Sequence, residues 1–348
     1  MRPDEFDYAL PPERIAAEPV SPRDAARLLV LGGVIEDRRV GDLPDLLEPG
    51  DLLVVNDTKV RRARLFGRRA TGGKVELLLL KRLEGGEYET LARAHKRLRP
   101  GETVPLDGGL LATLLERPGG GAIWRVRIEG GSGGESVEET IDRVGHVPLP
   151  PYVKRPDRPE DRESYQTIFA ERLGSAAAPT AGLHFTPGLL ERLRARGVGV
   201  ARITLHVGYG TFAPIEAERV EDHRLHAEEF EVTEEAAAAI RGRRGRLVAV
   251  GTTTTRVLES LARTGGIRAA KGTTDLFLYP GCEFHAIDGL LTNFHLPKST
   301  LLMLVCAFAG QERVLGAYAH ALRGGYRFFS YGDAMLVWPG PRTPPALS

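Results

Sequence analysis

The first 66 positions are polar and proline-bearing until "DLLVVND" (Asp51–Asp57), an apolar run that predicts a buried strand closed by polar residues. From 67 to 149 the texture changes. "GKVELLLLKRL", "EYETLARA", "GGLLATLLER" and "AIWRVRIEG" are short extended stretches separated by glycine-rich breaks. Strands this close together, with turn signals between them, predict a small sandwich or barrel. The Pro-rich stretch His146–Gln166 reads as a boundary. Beyond it helices alternate with strands. Pro187–Gly197 has helical periodicity, proline near its start and glycine at its end. Val198–Val207 reads as a strand. Thr233–Gly245 opens on a threonine cap with acids in the first turn. Arg246–Gly251 is a buried strand, Thr252–Gly266 a helix and Thr274–Gly281 a strand. "PKSTLLMLVCAFAG" reads as a buried helix with Pro297 in its first turn and Gly310 at its close. Alternation of this kind predicts an α/β layer with strands buried on both faces.

Composition narrows the picture without redirecting it. The 348 residues are 42% hydrophobic and 27% charged, enough for two cores. The apolar run Leu301–Ala309 is about half the roughly 20 residues of a bilayer span, and "MRPDEFDYALPPE" has no apolar signal-peptide core. Cys282 and Cys306 form no CxxC pair, so a cytoplasmic, thiol-containing protein is expected. The net charge is +1, yet 40 Arg stand against 7 Lys, clustered at Arg61–Arg69, Arg93–Arg99 and Arg241–Arg246. A solvated arginine-rich surface explains these clusters, and so does a face that meets phosphates.

Five polar patches sit where strands are predicted to end, the usual place for ligands in open α/β sheets. They are "NDTKV", "APTAGLHFT", "HVGYGTF", "VGTTTTR" and "TNFHLPKST". "GYG" at 208–210 is not a dinucleotide loop, because Pro214 follows where a helix is needed. In "GTTTTR", free N–H groups and hydroxyls would make an anion site; a threonine cap bonding its own helix accounts for the same residues equally well. His223, His226 and Glu228 lack zincin spacing, so no metal is expected. Lys298-Ser299-Thr300 resembles the tail of a phosphate loop, but no glycine stands within seven residues upstream of Lys298.

Together these stretches resemble one family closely. They are "YALPPERIAAEPVSPRDAARLLVL", "GDLLVVNDTKVRRARLFG", "GHVPLPPY", "YQTIFA", "AAPTAGLHFT", "TLHVGYGTF", "EDHRLHAE", "VGTTTTRVLES", "TNFHLPKSTLLMLV" and "YRFFSYGDAML", and they span essentially the whole chain. The family is that of the S-adenosylmethionine:tRNA ribosyltransferase-isomerases of queuosine biosynthesis. The resemblance implies a mixed-sheet α/β catalytic domain (1–66 and 150–348) with an inserted small β-barrel domain (67–149). It implies transfer and isomerisation of the ribosyl part of S-adenosylmethionine onto 7-aminomethyl-7-deazaguanosine at the tRNA wobble position. Epoxyqueuosine-tRNA, adenine and methionine result. No metal and no cofactor beyond that co-substrate is implied, and no membrane; a monomer is expected.

On this resemblance His184, His206, His226, Glu228, His295 and Asp57 are the catalytic candidates, with His223 a further acid/base candidate. Asn56, Lys59, Gly182, Gly208, Gly210, Thr211, Thr252, Thr253, Arg256, Asn293, Lys298 and Asp333 are expected at the substrate. Arg61, Arg62 and Arg97 are expected at tRNA. Thr254, Thr255, Tyr209 and Val55 depart from the family's usual residues. A non-catalytic RNA-binding protein on the same scaffold is the alternative reading. A methyltransferase using the same co-substrate is a third, weakened by the missing glycine-rich fingerprint.

Overall fold

Leu52–Asn56 lies in the interior of a nine-stranded sheet, fourth in order, and is buried along its whole length. Its neighbours Gly199–Leu205 and Leu247–Val250 run parallel to it, and Gly289–Asn293 runs parallel to Leu247–Val250. Alternate residues of the strands feed opposite cores. Leu52, Val54, Leu247 and Ala249 enter one; Leu53, Val55, Val248 and Val250 enter the other. Helices Glu234–Arg241, Thr252–Arg263, Thr300–Ala309 and Gln311–Arg323 cover the first face, and Pro187–Ala195 covers the second. Burial on both faces is why the strands read as continuous apolar runs.

The computed structural model describes residues 1–118, 122–131, 134–208, 215 and 217–340. Within them the predicted helix starts are met by real caps. Thr233 accepts from Ala236 N at 3.2 Å, Thr186 from Leu189 N at 3.1 Å and Ser299 from Leu302 N at 3.2 Å. Gly310, at φ 92°, closes Thr300–Ala309. That helix starts after Ser299, so Pro297 precedes the cap instead of occupying the first turn.

The strand expected at Thr274–Gly281 is displaced to Ala270–Thr274. The Arg256 guanidinium takes the carbonyls of Thr274 and Leu276 at 3.2 and 2.9 Å. Those acceptors are therefore satisfied by a side chain rather than by a neighbouring strand. The apolar pattern does not mark Arg27–Leu31, Ile35–Arg39, Glu228–Val232 or Ala334–Val337 as strands, yet all join the sheet. Ala334–Val337 runs antiparallel to Gly289–Asn293 and parallel to Arg27–Leu31, which makes the sheet mixed.

A second sheet is antiparallel and six-stranded, in the order Arg64–Arg68, Lys74–Arg82, Glu87–Ala94, Ile123–Gly130, Leu110–Glu116 and Thr103–Pro105. It has its own core, including Leu65, Val75, Leu77, Tyr88 and Val126, with Ile141 from helix Val137–Val144. Its first strand begins at Arg64, so the expected boundary at 66/67 falls inside it. A single backbone bridge joins Gly67 to Leu106, beside the last strand. A Cβ at Gly67 would stand 2.4 Å from Pro105 O, so the approach requires glycine there.

Candidate active site

The parallel strands end together, and the loops that follow enclose a cleft of about 1280 Å³. Ala178–Ala181, Gly251–Thr253, Thr292–Ser299 and Phe329–Ser330 line it, with Met1–Glu5 and Tyr152 closing its sides. Four of the five polar patches thus meet in one space, since Val207 of "HVGYGTF" lines it too. At the entrance to helix Thr252–Arg263, Gly251 turns the chain at φ 96° and offers no side-chain cap. Thr254 and Thr255 donate to the carbonyls of Val250 and Gly251 at 2.9 and 3.1 Å. Their hydroxyls are spent on their own helix, while Thr252 and Thr253 border the cleft. An uncapped first turn directs N–H groups and the positive end of the helix dipole outward.

The cleft floor is neutral and tightly bonded. Asn293 Nδ2 donates to Phe329 O and to His184 Nε2, both at 3.1 Å, and Thr180 donates to Asn293 Oδ1 at 3.0 Å. Phe329 stacks on Tyr152 with centroids 4.5 Å apart, and the Tyr152 hydroxyl meets that of Ser330. Burial pushes His184 and His295 down to about 3, with Arg23 and Arg327 adding repulsion at His184. Both imidazoles are therefore neutral at pH 7. His295 Nε2 shares a proton with the Thr292 hydroxyl at 2.9 Å, and its backbone N–H donates to Tyr318 at 2.9 Å.

The mouth is charged and open. Lys298 Nζ pairs with Asp4 at 2.7 Å and Asp7 at 3.0 Å, and both carboxylates raise its pKa. Lys298 N donates to Phe6 O at 3.0 Å, and Phe6 is fully buried, so the segment Pro3–Phe6 is pinned along the rim. Lys298 (φ 56°) and Phe329 (φ 72°) are the left-handed non-glycine residues among the described residues, and both border the cleft. For a bulky aromatic residue this backbone is an outlier, sustained here by the hydrogen bonds around Asn293.

Of the residues expected at the site, Thr252, Thr253, Asn293, His295 and Lys298 line the cleft, and His184 stands directly behind Asn293. Asn56 lies one layer deeper, bonded to Leu205 O at 2.9 Å and Thr253 Oγ1 at 3.5 Å. Glu228 and Arg256 form a buried ion pair, and Glu228 holds Gly208 N at 2.7 Å. They support the loop after Leu205 rather than line the cleft. Asp57 accepts from Thr204 at 2.6 Å, and burial raises its carboxyl pKa. His206 bonds Thr58 Oγ1 at 2.8 Å and packs against Gly174; burial lowers its pKa.

None of Asp57, His206, Lys59, His226, Gly182 or Asp333 is among the described residues lining the cleft. Lys59 and His226 are exposed. Gly182 packs against Thr167, and Asp333 accepts from the backbones of Arg27 and Arg327 at 3.0 and 2.8 Å. His223 packs edge-on to Phe277. Arg61 pairs with Glu138, Arg62 is half-buried and Arg97 is exposed. Gly210, Thr211 and Tyr209 lie outside the described residues. Among the described residues no group of three or more His, Cys, Asp or Glu is placed to hold a metal ion. No single described helix is long and apolar enough to cross a membrane, although Thr300–Ala309 and Gln311–Arg323, bent by 115°, pass that test together.

Thr180, Tyr152, Phe329, Ser330 and the segment Met1–Glu5 also line the cleft and were not singled out by sequence. Thr180 and Ser330 lay inside quoted motifs, so position in the motif was the available signal. The same holds for Tyr152 in "GHVPLPPY" and Phe329 in "YRFFSYGDAML"; the first five residues carry no local signal.

A family model described as queuosine biosynthesis protein matches residues 3–337. A protein of Anaeromyxobacter sp. (strain Fw109-5), named S-adenosylmethionine:tRNA ribosyltransferase-isomerase, is 55% identical over 97% of this chain and 99% of its own length. A namesake from Moorella thermoacetica is 53% identical over 97% of this chain and all of its own. The crystal structure of S-adenosylmethionine tRNA ribosyltransferase from Thermotoga maritima matches with a TM-score of 0.55 at 40% identity. That match covers 96% of this chain and 99% of the other.

Proposed function

The chain belongs to the queuosine biosynthesis protein family, and on that premise we propose how its cleft serves an S-adenosylmethionine:tRNA ribosyltransferase-isomerase. The reaction moves and isomerises the ribosyl part of S-adenosylmethionine onto the aminomethyl group of 7-aminomethyl-7-deazaguanosine in tRNA. Epoxyqueuosine-tRNA, adenine and methionine leave. The observation that carries this reading is one 1280 Å³ cleft in which an uncapped helix start faces a neutral, fully bonded floor. Its volume exceeds the roughly 300–1,000 Å³ of a typical small-molecule pocket. That leaves space for a nucleoside co-substrate beside an extruded tRNA base, since chemistry on a base requires it out of the stack.

The methionyl carboxylate suits the N–H groups and hydroxyls of Thr252 and Thr253. The sulfonium acidifies the adjacent C5′ hydrogens, so a base at that carbon starts the reaction, and departing adenine requires a proton or charge stabilisation. His295 is the histidine on the cleft wall, and its neutral form accepts a proton. His184 is committed to Asn293 and acts in positioning. Arg62 and Arg97 serve the tRNA backbone, with Arg61 already engaged by Glu138. The six-stranded sheet is an inserted small β-barrel in a discontinuous α/β catalytic body, which the Gly67–Leu106 bridge supports. S-adenosylmethionine is the only co-substrate in this scheme, with no metal, in a cytoplasmic monomer.

The test is incubation with S-adenosylmethionine and tRNA carrying the aminomethyl base. Adenine release supports the reading. S-adenosylhomocysteine instead would make the protein a methyltransferase; tRNA retained on a gel with no reaction would make it a binder. In single turnover, His295→Gln is expected to slow adenine release, whereas His226→Ala leaves it unchanged. An unaltered rate in His295→Gln removes that residue from the chemistry.

A further inference from the structure

We infer that Thr180 determines specificity in this cleft as an obligate hydrogen-bond acceptor for an N–H or O–H group of bound S-adenosylmethionine. The inference rests on the reading that the cleft takes that co-substrate. A carbonyl oxygen can only accept, so Phe329 O fixes which end of the Asn293 amide is the nitrogen. The same nitrogen faces His184 Nε2 at 3.1 Å, so that ring atom accepts and the ring proton sits on Nδ1. The opposite end of the amide, Oδ1, is then necessarily the atom that meets Thr180 at 3.0 Å, and it can only accept. Thr180 has one hydroxyl proton, and Asn293 holds it.

What the half-buried Thr180 hydroxyl has left for the cleft is lone pairs. The direction of every proton in Phe329–Asn293–His184–Thr180 follows from one backbone carbonyl. His184 never contacts the cleft in this scheme. It is a positioning residue whose acceptor nitrogen helps keep the amide from rotating. A co-substrate bearing an ammonium, an exocyclic amine and ribose hydroxyls supplies donors of the required kind; a bare acceptor at the same place is repelled.

The experiment uses the full-length protein with saturating aminomethyl-deazaguanosine tRNA. Adenine release gives KM for S-adenosylmethionine, and competition gives the affinity of three analogues. These lack in turn the α-amino group, the adenine 6-amino group and the ribose 2′-hydroxyl. Thr180→Val keeps the shape and removes the acceptor. It is expected to raise KM about tenfold, the order set by one hydrogen bond to a polar or charged donor, with kcat changed less. One analogue is expected to bind Thr180→Val and the parent equally, which identifies the donor, and Thr180→Ser restores the parent pattern. His184→Gln, which keeps an acceptor oxygen, retains discrimination against that analogue; His184→Leu loses it. Two results overturn the inference: an unchanged KM in Thr180→Val, or an equal loss for S-adenosylmethionine and all three analogues. Failure of the parent protein to use S-adenosylmethionine at all would overturn the reading of the cleft itself.

Discussion

The floor and the mouth of the cleft are built on opposite principles. The floor around Asn293 contains neutral groups in which the Asn293 amide and Thr180 hydroxyl protons are all taken by acceptors of the floor itself. The mouth around Lys298 contains ions that face water, with Asp4 and Asp7 largely exposed. In a site shielded from water, each fixed dipole acts strongly and a misplaced one is costly. At the mouth, solvent and salt screen the same charges. Orientation is therefore set below and attraction above, and substitutions in the two regions should fail differently.

The largest effect is expected outside the cleft lining, at the buried Glu228–Arg256 ion pair. Arg256→Met strands Glu228 as a buried charge and should cost about 3–5 kcal/mol, read from the urea midpoint. Replacing Glu228 by Leu as well should recover much of that loss. Next, Asn293→Ala removes the hub of the floor. Misplaced groups at a reacting centre cost on the order of 100-fold, so single-turnover adenine release should fall by that factor while the urea midpoint moves less. A parent-like rate would show that the floor does not orient the substrate.

Acidity separates the regions further. His184 and His295 sit at about 3 in the folded protein against 6.5 for the free side chain. Between those values the unfolded chain binds more protons, so stability rises with pH there. It is fully present above pH 6.5 and declines as pH falls toward 3, by about 1.4 kcal/mol per pH unit for each histidine at most. Urea midpoints between pH 7.5 and 5 should show this, and His295→Gln should flatten the slope. The smallest effect belongs to the mouth. Asp4→Asn should move the urea midpoint less than any of the changes above, because solvent and salt screen the exposed pair with Lys298, and the difference should vanish at high salt.

The regions also differ in how far they could be read from sequence. Ser299 and Gly310 bracket the buried helix, and "GTTTTR" announces a strand turning into a helix, because caps and turns are local chemistry. Thr254 and Thr255 were countable as hydroxyls, but only the folded helix shows them bonded to their own backbone. Asn293 and His295 stood out as polar residues beside an apolar run. Thr180, Tyr152 and Phe329 did not, since their roles arise from approaches over 113 and 177 residues of chain. Asp57, Asp333 and His206 show the reverse case: polar residues at strand ends whose partners turn out to be neighbouring backbone and side chains.

The six-stranded sheet leaves and rejoins the rest of the chain at nearly one point. Arg64 N donates to His146 O at 3.3 Å, and His146 N returns the bond to Arg64 O at 2.8 Å. The loop between them can lengthen, shorten or be exchanged without altering the separation its ends must bridge. Insertion at such a neck is topologically permissive. For protein engineering, the neck is where a short turn could replace the six strands, or where a different small domain could be grafted, without disturbing the nine-stranded sheet that carries the cleft.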